Sequence, residues 1–343
     1  MRKLIIAIIS VITVLTACLS GCSCVGNPPI TFNSKFYGKD AVVDPPAGYK
    51  ETLTYTVNYT EKISGENGKS PLLNDVNYSF SDGVYVSTLE TVTALPDGIT
   101  SDIIDGLPTD AKTLYKLTTK LSIKSTYQGL DEGDGEYQDF IESTVYFCSF
   151  RLSYAPIYSI VKTDYTMLFV TKNATSVAKL QSERTINYSK TSYVLTEKVG
   201  ENVNTSEYEY EFTTLIDNAE LLFAFRNIDV ANDSSFFLPT VSYAYGEAKN
   251  LRIDLDSQTS EPVNLTYNGT TVTDNISTNN YVFMIGDATK SGIPQYVKIQ
   301  SDKSDNLPFS SLLYSYTEPL IEYGNMLNMG YLVYTLSSVE VVK

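Results

Sequence analysis

The sequence predicts an all-β fold, a large curved antiparallel sheet in the form of a half-barrel, carrying one short helix. Three observations predict it. Apolar and polar residues alternate along most of the chain, and Asp-Gly and Asn-Gly dipeptides recur between the alternating runs. The chain also holds 27 tyrosines and many threonines, residue types that suit a pleated, half-buried surface. With 43% apolar residues among 343, a substantial core is within reach.

The first strand is "ETLTYTVNYT" (51–60), in which Leu53, Tyr55, Val57 and Tyr59 share one face. Asp82-Gly83 reads as a turn ahead of "GVYVSTLETV", and Asp97-Gly98 and Asp105-Gly106 read as further turns. In "TLYKLTTKLSIKS" (113–125) Tyr115, Leu117, Leu121 and Ile123 point one way, while Lys116, Lys120 and Lys124 point the other. That period of two marks an antiparallel strand with one wet face. "STVYFCSFRLSY", "YTMLFV", "ERTINY" and "YEYEFTTL" continue the series, followed by "NLRIDL", "YVFMIG", "QYVKIQ", "SLLYSY" and "YLVYTLSSVEVV". "VNLTYNGTTVTD" (263–274) reads as a hairpin, because Asn268-Gly269 tolerates the positive φ angles of a two-residue type I′ turn. One segment breaks the pattern. "DNAELLFAFRN" opens with Asp217 and has Glu220 three residues later, an acidic form of the capping box. Leu221, Leu222 and Phe225 then line an apolar helical face.

The N-terminus reads as an export signal. Arg2 and Lys3 precede an apolar run from Leu4 to Val14, too short to span a bilayer as a mature helix. The run ends in two overlapping Leu-(Ser/Thr)-(Ala/Gly)-Cys motifs, Leu15 to Cys18 and Leu19 to Cys22. They resemble the lipobox of bacterial lipoproteins, whose cysteine is diacylated and becomes residue one. The resemblance implies lipidation of Cys22, with Cys18 as the alternative, and a signal peptide over 1–21. Two acyl chains anchor stably, so the mature chain is expected on the cell membrane, facing outside the cytoplasm. Residues 22–48 hold two Pro-Pro pairs and little periodicity and read as a tether. Residues 49–343 show neither a repeat nor a break and read as a single antiparallel β domain.

Composition narrows the chemistry. A net charge of −15 repels nucleic acid and anionic headgroups, so no nucleic-acid partner is expected and the anchor supplies the membrane contact. Histidine is absent, which removes Ser-His-Asp and Cys-His catalysis and imidazole metal sites. Tryptophan is absent as well, which weakens a sugar-binding reading. Cys148, within the strand pattern "VYFCSFRL", reads as a buried inert thiol. "DEGDGEYQDFIE" (131–142) fails as an EF-hand because Glu136 stands where the loop requires glycine, and it reads as a solvated hairpin tip. Ser159-x-x-Lys162, Ser304-Asp305-Asn306 and Lys290-Ser291-Gly292 mimic the motifs of penicillin-binding enzymes. Ser159 lies in a strand pattern, however, and the last two motifs come in reversed order. No metal, no cofactor and no catalytic residue is expected.

From the helix onward the features resemble a bacterial envelope domain family of unknown function, related in architecture to the LolA/LolB lipoprotein carriers. Asp217 to Arg226 matches its helix ending near an arginine, "NIDVANDSSFFLP" its turn and "F-x-LP" strand start, and "MIGDATKSGIPQYVKI" its closing strand. Asp233-Ser234 stands where family members usually carry glycine. The resemblance covers residues 217 to 300 and implies a half-barrel whose concave face holds an acyl chain or a helix.

Together these readings give a non-catalytic surface lipoprotein that binds an apolar ligand or a partner protein in the concave face. The alternatives are a structural or adhesive surface module and, third, a glycan-acting enzyme using a carboxylate pair. The groove candidates are Leu221, Leu222 and Phe225 on the helix. Met326, Leu327 and Met329 join them from "EPLIEYGNMLNMGY", where flexible thioethers suit an adaptable rim.

Overall fold

The computed structural model describes residues 31–32, 34, 36–38, 44–64, 67–105, 112–131, 134–150, 153–171, 174–211, 214–229, 235–241, 246–284, 294–301, 304, 306–323 and 325–342. Cys18, Cys22, the signal segment and most of the expected tether lie outside the described residues, as do Asp305 and Lys290 to Gly292.

Strand β1 (Thr31–Phe32) is followed by β2 (Lys50–Thr60), β3 (Asn77–Val92), β4 (Lys112–Gln128), β5 (Gly135–Phe150) and β6 (Ser153–Val170). Next come β7 (Thr175–Tyr188), β8 (Ser192–Val199), β9 (Asn202–Glu209), β10 (Ile216–Asp217) and β11 (Ile228–Asp229). The C-terminal series is β12 (Ser235–Val241), β13 (Ala248–Tyr267), β14 (Thr270–Met284), β15 (Pro294–Gln300), β16 (Leu313–Ile321) and β17 (Asn328–Val342).

Fifteen of these strands form one sheet. It consists of two antiparallel meanders, β2 to β9 and β12 to β17, joined where β17 pairs with β2 and Val339 faces Leu53. The strands nearest the two ends of the domain therefore meet in mid-sheet. β10 adds a short parallel pairing to β12, and β1 pairs separately with β11.

The sheet curls twice upon itself. Asn268 and Gly269, with φ of 44° and 79°, form the two-residue turn the sequence predicts. Its tip reaches β17: Thr266 and Tyr267 pair parallel with Ser338 and Val339. The Asn268 N–H donates to the Val339 carbonyl at 2.9 Å, and the Asn268 Oδ1 accepts from the Val341 N–H at 2.8 Å. β13 to β17 thus form a ring at one end. Elsewhere the outer strands close by side chains rather than by a ladder. The Tyr193 hydroxyl of β8 donates to the Gly246 carbonyl at 2.6 Å, ahead of β13, and Tyr188 of β7 donates to Asp217 at 2.5 Å. The expected half-barrel is closer to a barrel than the pattern alone conveyed.

Side chains fill the interior in the predicted phase. Leu53, Tyr55 and Val57 on β2 are buried, as are Tyr115, Leu117, Leu121 and Ile123 on β4. The lysines between them on β4 stay at the surface and pair with acids across the ladder, Lys116 with Glu90 and Lys120 with Glu142.

Several boundaries differ from expectation. Asp82-Gly83 is not a turn but a bulge inside β3, with Asp82 at a φ of 53° and the register slipping between Ser81 and Val84. A Cβ on Gly83 would lie 2.4 Å from the Val57 carbonyl, so glycine is needed where β2 passes this close. "STVYFCSFRLSY" spans the end of β5 and the start of β6, and β8 was not anticipated. Single helical turns at Pro71–Leu73 and Asp102–Asp105 join the expected helix. The folded body also begins before residue 49. Phe32 packs edge-on against Tyr154 at 4.7 Å, and Phe36, fully buried, packs against Tyr49, Tyr115 and Phe223.

Candidate functional site

The inner face of the sheet is occupied by one helical segment, a 3-10 turn (Asn218–Glu220) running into an α-helical turn (Leu221–Phe225). Its start is set by the capping box read from the sequence. Asp217 Oδ1 accepts from the Ala219 N–H at 2.8 Å, and Glu220 Oε1 accepts from the Asp217 N–H at 2.9 Å. Burial raises the pKa of Glu220 well above its ordinary value, and the neighbouring Asp217 adds to the rise, while its backbone hydrogen bond opposes it.

The segment is apolar nearly all round because it is enclosed nearly all round. Phe223 packs against Phe36, Phe147 and Tyr154 of the N-terminal half. Phe225 packs against Tyr281 and Phe283 of the C-terminal half. The helix therefore bridges both meanders. It is locked at its C-terminal end by Arg226, whose guanidinium reaches both carboxylate oxygens of Glu51 on β2, at 2.5 Å and 3.1 Å. Nε donates to the Ser311 carbonyl at 3.0 Å, and the Ser311 hydroxyl donates back to the Arg226 carbonyl. Arg226 is 3% exposed and Glu51 1%, a bidentate ion pair inside the core.

Beside the helix lies a cavity of about 160 Å³. It is half open rather than sealed, so a ligand longer than the cavity can extend from it. Leu121, Ile141, Val161, Leu221, Leu222 and Phe283 form its apolar walls. A much smaller void of about 20 Å³ adjoins it through Leu222, Ala219, Tyr85 and Thr119.

The lining of the larger cavity is polar in part, with Thr119, Ser143 and Asn218 among its residues. Gln295 on β15, Tyr316 and Glu318 on β16 and Tyr334 on β17 all contribute to it. Tyr334 donates its hydroxyl to Glu318 at 2.8 Å, and Tyr316 donates to the Gln295 Oε1. Desolvation holds the Glu318 pKa above its usual range, and the Tyr334 hydrogen bond opposes the rise. Tyr316 and Tyr334 are pushed well above their ordinary values, first by burial and then by the Glu318 charge, so both remain neutral donors. Gln295 is 1% exposed, and its Nε2 has no hydrogen-bond partner.

The sequence-predicted residues divide. Leu221 and Leu222 line the cavity. Phe225 lies behind it, 3% exposed against the aromatic pair of β14. The 326–329 segment stands apart from the cavity lining. Met329 is buried in a different cluster with Leu73, Val76, Tyr127, Leu130 and Leu168, and Leu327 packs on that cluster. Met326, at a φ of 56°, is 69% exposed. This loop is held instead across the end of β6, where Glu322 accepts from the Val170 N–H at 2.9 Å and Asn325 donates to the Val170 carbonyl.

Ser159 and Lys162 sit on opposite faces of β6, one buried and one exposed, so they cannot act together as a nucleophile and base. Asp131 and Asp134 accept from the backbone N–H groups of Thr175 and Gly129, as a hairpin tip requires. Among the described residues lining this cavity Glu318 is the one carboxylate, and Glu51, which lines the adjoining small void, is paired with Arg226. Gln295, Glu318 and the buried pair of Glu51 with Arg226 were not anticipated. Glu51 had a signal, since it is in phase with Leu53 and Tyr55.

No family model matches the chain, and no curated protein matches it. Among solved structures it is similar to a β-barrel-like protein of the domain of unknown function DUF1849 from Brucella abortus, with 8% identity and a TM-score of 0.43 over 87% of this chain and 99% of that one.

Proposed function

We propose that this all-β protein is a bacterial envelope lipoprotein, held on the cell membrane outside the cytoplasm through diacylated Cys22, that binds an apolar ligand beside its internal helix. The observation that carries the reading is the cavity along Leu221 and Leu222. The helix is too short to fill the sheet's interior, so an apolar-walled space is left between them. The protein performs no catalysis in this reading, and the apolar ligand, rather than a protein partner, is its primary cargo.

The test uses the neutral dye N-phenyl-1-naphthylamine, whose fluorescence rises on leaving water, with native mass spectrometry of the purified chain for co-purifying lipid. Wild type is expected to enhance the dye. Leu222→Trp, which projects a larger ring into the cavity, is expected to weaken dye affinity by about tenfold or more while keeping a cooperative melt, since overpacking typically costs about 1–3 kcal/mol. If wild type binds no dye and carries no lipid, the structural-module reading takes its place.

The anchor is tested independently. Cys22→Ala is expected to move the exported protein from the detergent phase to the aqueous phase, and Cys18→Ala to leave it in the detergent phase. The opposite pattern reassigns the lipidated cysteine, and unchanged partitioning after loss of both removes the lipid anchor.

A further inference from the structure

A further cavity lies on the opposite face of the sheet. It measures about 500 Å³, against about 160 Å³ for the one beside the helix. Strand alternation sets its floor. Tyr115 on β4 and Phe147 on β5 stack on the inner face, where Phe147 meets Phe223 of the helix, so Leu114 and Cys148 point outward. Those two stand opposite each other in the ladder. The chain between β3 and β4 arches over them, and Ile103, from the helical turn at Asp102–Asp105, is buried in one cluster with Cys148. Hydrogen bonds hold this cover in shape. Ser101 Oγ accepts from the Ile103 N–H at 3.2 Å, and the Ser101 carbonyl accepts from the Asp105 N–H at 3.3 Å. Asp102 accepts from the Lys190 N–H at 3.4 Å, which ties the cover to the turn after β7.

The cover does not close on its floor. Val92, Leu95, Ile99, Ile104 and Leu114 all line the space between, and each is only half-buried. These aliphatic side chains face one cavity, so a single ligand can take them out of water together. The volume is that of a small-molecule site, about 300–1,000 Å³. Its polar groups lie at the mouth. The Ser101 hydroxyl is committed to the turn, whereas Thr93, Thr100 and Asp105 are exposed. Asp105 carries the one formal charge among the described lining residues. An anionic ligand would add a like charge beside it. A cation gains little from one exposed carboxylate, and either ion loses hydration against the aliphatic walls. A hydroxyl or carbonyl group loses least, because threonine hydroxyls both donate and accept.

We propose that this pocket is a second ligand site, separate from the cavity beside the helix, for an uncharged molecule with a hydrocarbon body and one hydroxyl or carbonyl group. Leu95, Ile99 and Ile104 of the cover and Leu114 of the floor enclose the hydrocarbon, and Thr93 and Thr100 meet the polar group at the mouth. The site stands whether or not the helix-side cavity binds a ligand, since the two lie on opposite faces of the sheet.

The experiment is a methyl NMR titration of the mature chain labelled at its isoleucine methyl groups, with octan-1-ol, octanoate and octylammonium as probes. Ile99 and Ile104 report on this pocket and Ile141 on the cavity beside the helix. Octan-1-ol is expected to shift Ile99 and Ile104 saturably, and each charged probe to need concentrations about tenfold higher. Ala94 is exposed in the lining, so Ala94→Trp obstructs the pocket without disturbing the core. It is expected to weaken octan-1-ol at Ile99 and Ile104 by about fivefold or more and to leave the Ile141 titration unchanged. Leu114→Trp obstructs the same space from the floor and repeats the test should Ala94→Trp fail to fold. Leu222→Trp is expected to give the reverse pattern. No saturable shift at Ile99 and Ile104 in wild type, or shifts unaltered in the folded Ala94→Trp and Leu114→Trp variants, overturns the second site whatever Ile141 does. Octanoate or octylammonium saturating these methyls as readily as octan-1-ol overturns the ligand class. Silence at Ile141 with shifts at Ile99 and Ile104 overturns the helix-side cavity and supports this site.

Discussion

Arg226→Met is expected to destabilise the fold by about 3–5 kcal/mol, read as a lower midpoint in chemical denaturation of the mature chain. The magnitude follows from what is left behind. Glu51 is 1% exposed, and the guanidinium provides two hydrogen bonds to it, so removing Arg226 strands a carboxylate in the core. Tyr49 still donates to Glu51 at 3.2 Å, which offsets only part of the loss. The pair itself is a different matter. Taking two charges out of water offsets much of their attraction, and replacing both partners with apolar groups of similar size is often neutral. The double variant Glu51→Leu with Arg226→Met is therefore expected to recover most of the stability lost by the single one. A single variant within about 1 kcal/mol of wild type would show that water reaches the site, against the burial described above. A double variant no better than the single would mean that Arg226 matters through Ser311 rather than through Glu51.

The same pair shows what was legible in the sequence. Glu51 lies in phase with Leu53, Tyr55 and Val57, so the period of two places it inside. Nothing local says which cation meets it, because Arg226 is 175 residues away and reaches it only when the helix lies across β2. Local chemistry was readable wherever a short segment decides its own conformation. The turn at Asn268-Gly269 and the capping box at Asp217 and Glu220 depend on backbone and neighbouring side chains alone, and both form as expected. Asp82-Gly83 has the same composition as a turn but forms a bulge, because the flanking segments both pair with β4 and the chain continues straight. The cavity was legible only in outline. Leu221 and Leu222 belong to a helical face that a local pattern reveals. Gln295, Glu318 and Tyr334 converge on them from three strands whose register is set by pairings remote in sequence. The methionine segment was misplaced for a related reason. Flexible side chains give no period, and a long-range contact with β6 fixes where the loop goes.

Phe225→Ala is expected to cost about 3–5 kcal/mol, the usual range for truncating a buried phenylalanine. Its ring is 3% exposed and lies 5.4 Å from Phe283 and 6.2 Å from Tyr281, centroid to centroid, in tilted contacts. Relaxation is limited on every side. Arg226 pins the next residue to β2, Phe223 fixes the opposite face of the helix against Phe147 and Tyr154, and the ladders hold β14 on both sides. A cavity opened here would remain open, and a site that cannot collapse gives the upper part of the range. The void would also adjoin the cavity beside the helix, since Phe283 contributes to both walls. Phe225→Ala is thus expected to lower the unfolding midpoint and at the same time strengthen binding of N-phenyl-1-naphthylamine, which fills part of the space. A loss of stability below about 1 kcal/mol would mean that the helix is not clamped between the two meanders. A large loss with no gain in dye affinity would separate the aromatic pocket from the cavity beside the helix, and the helix would then serve as a core element alone.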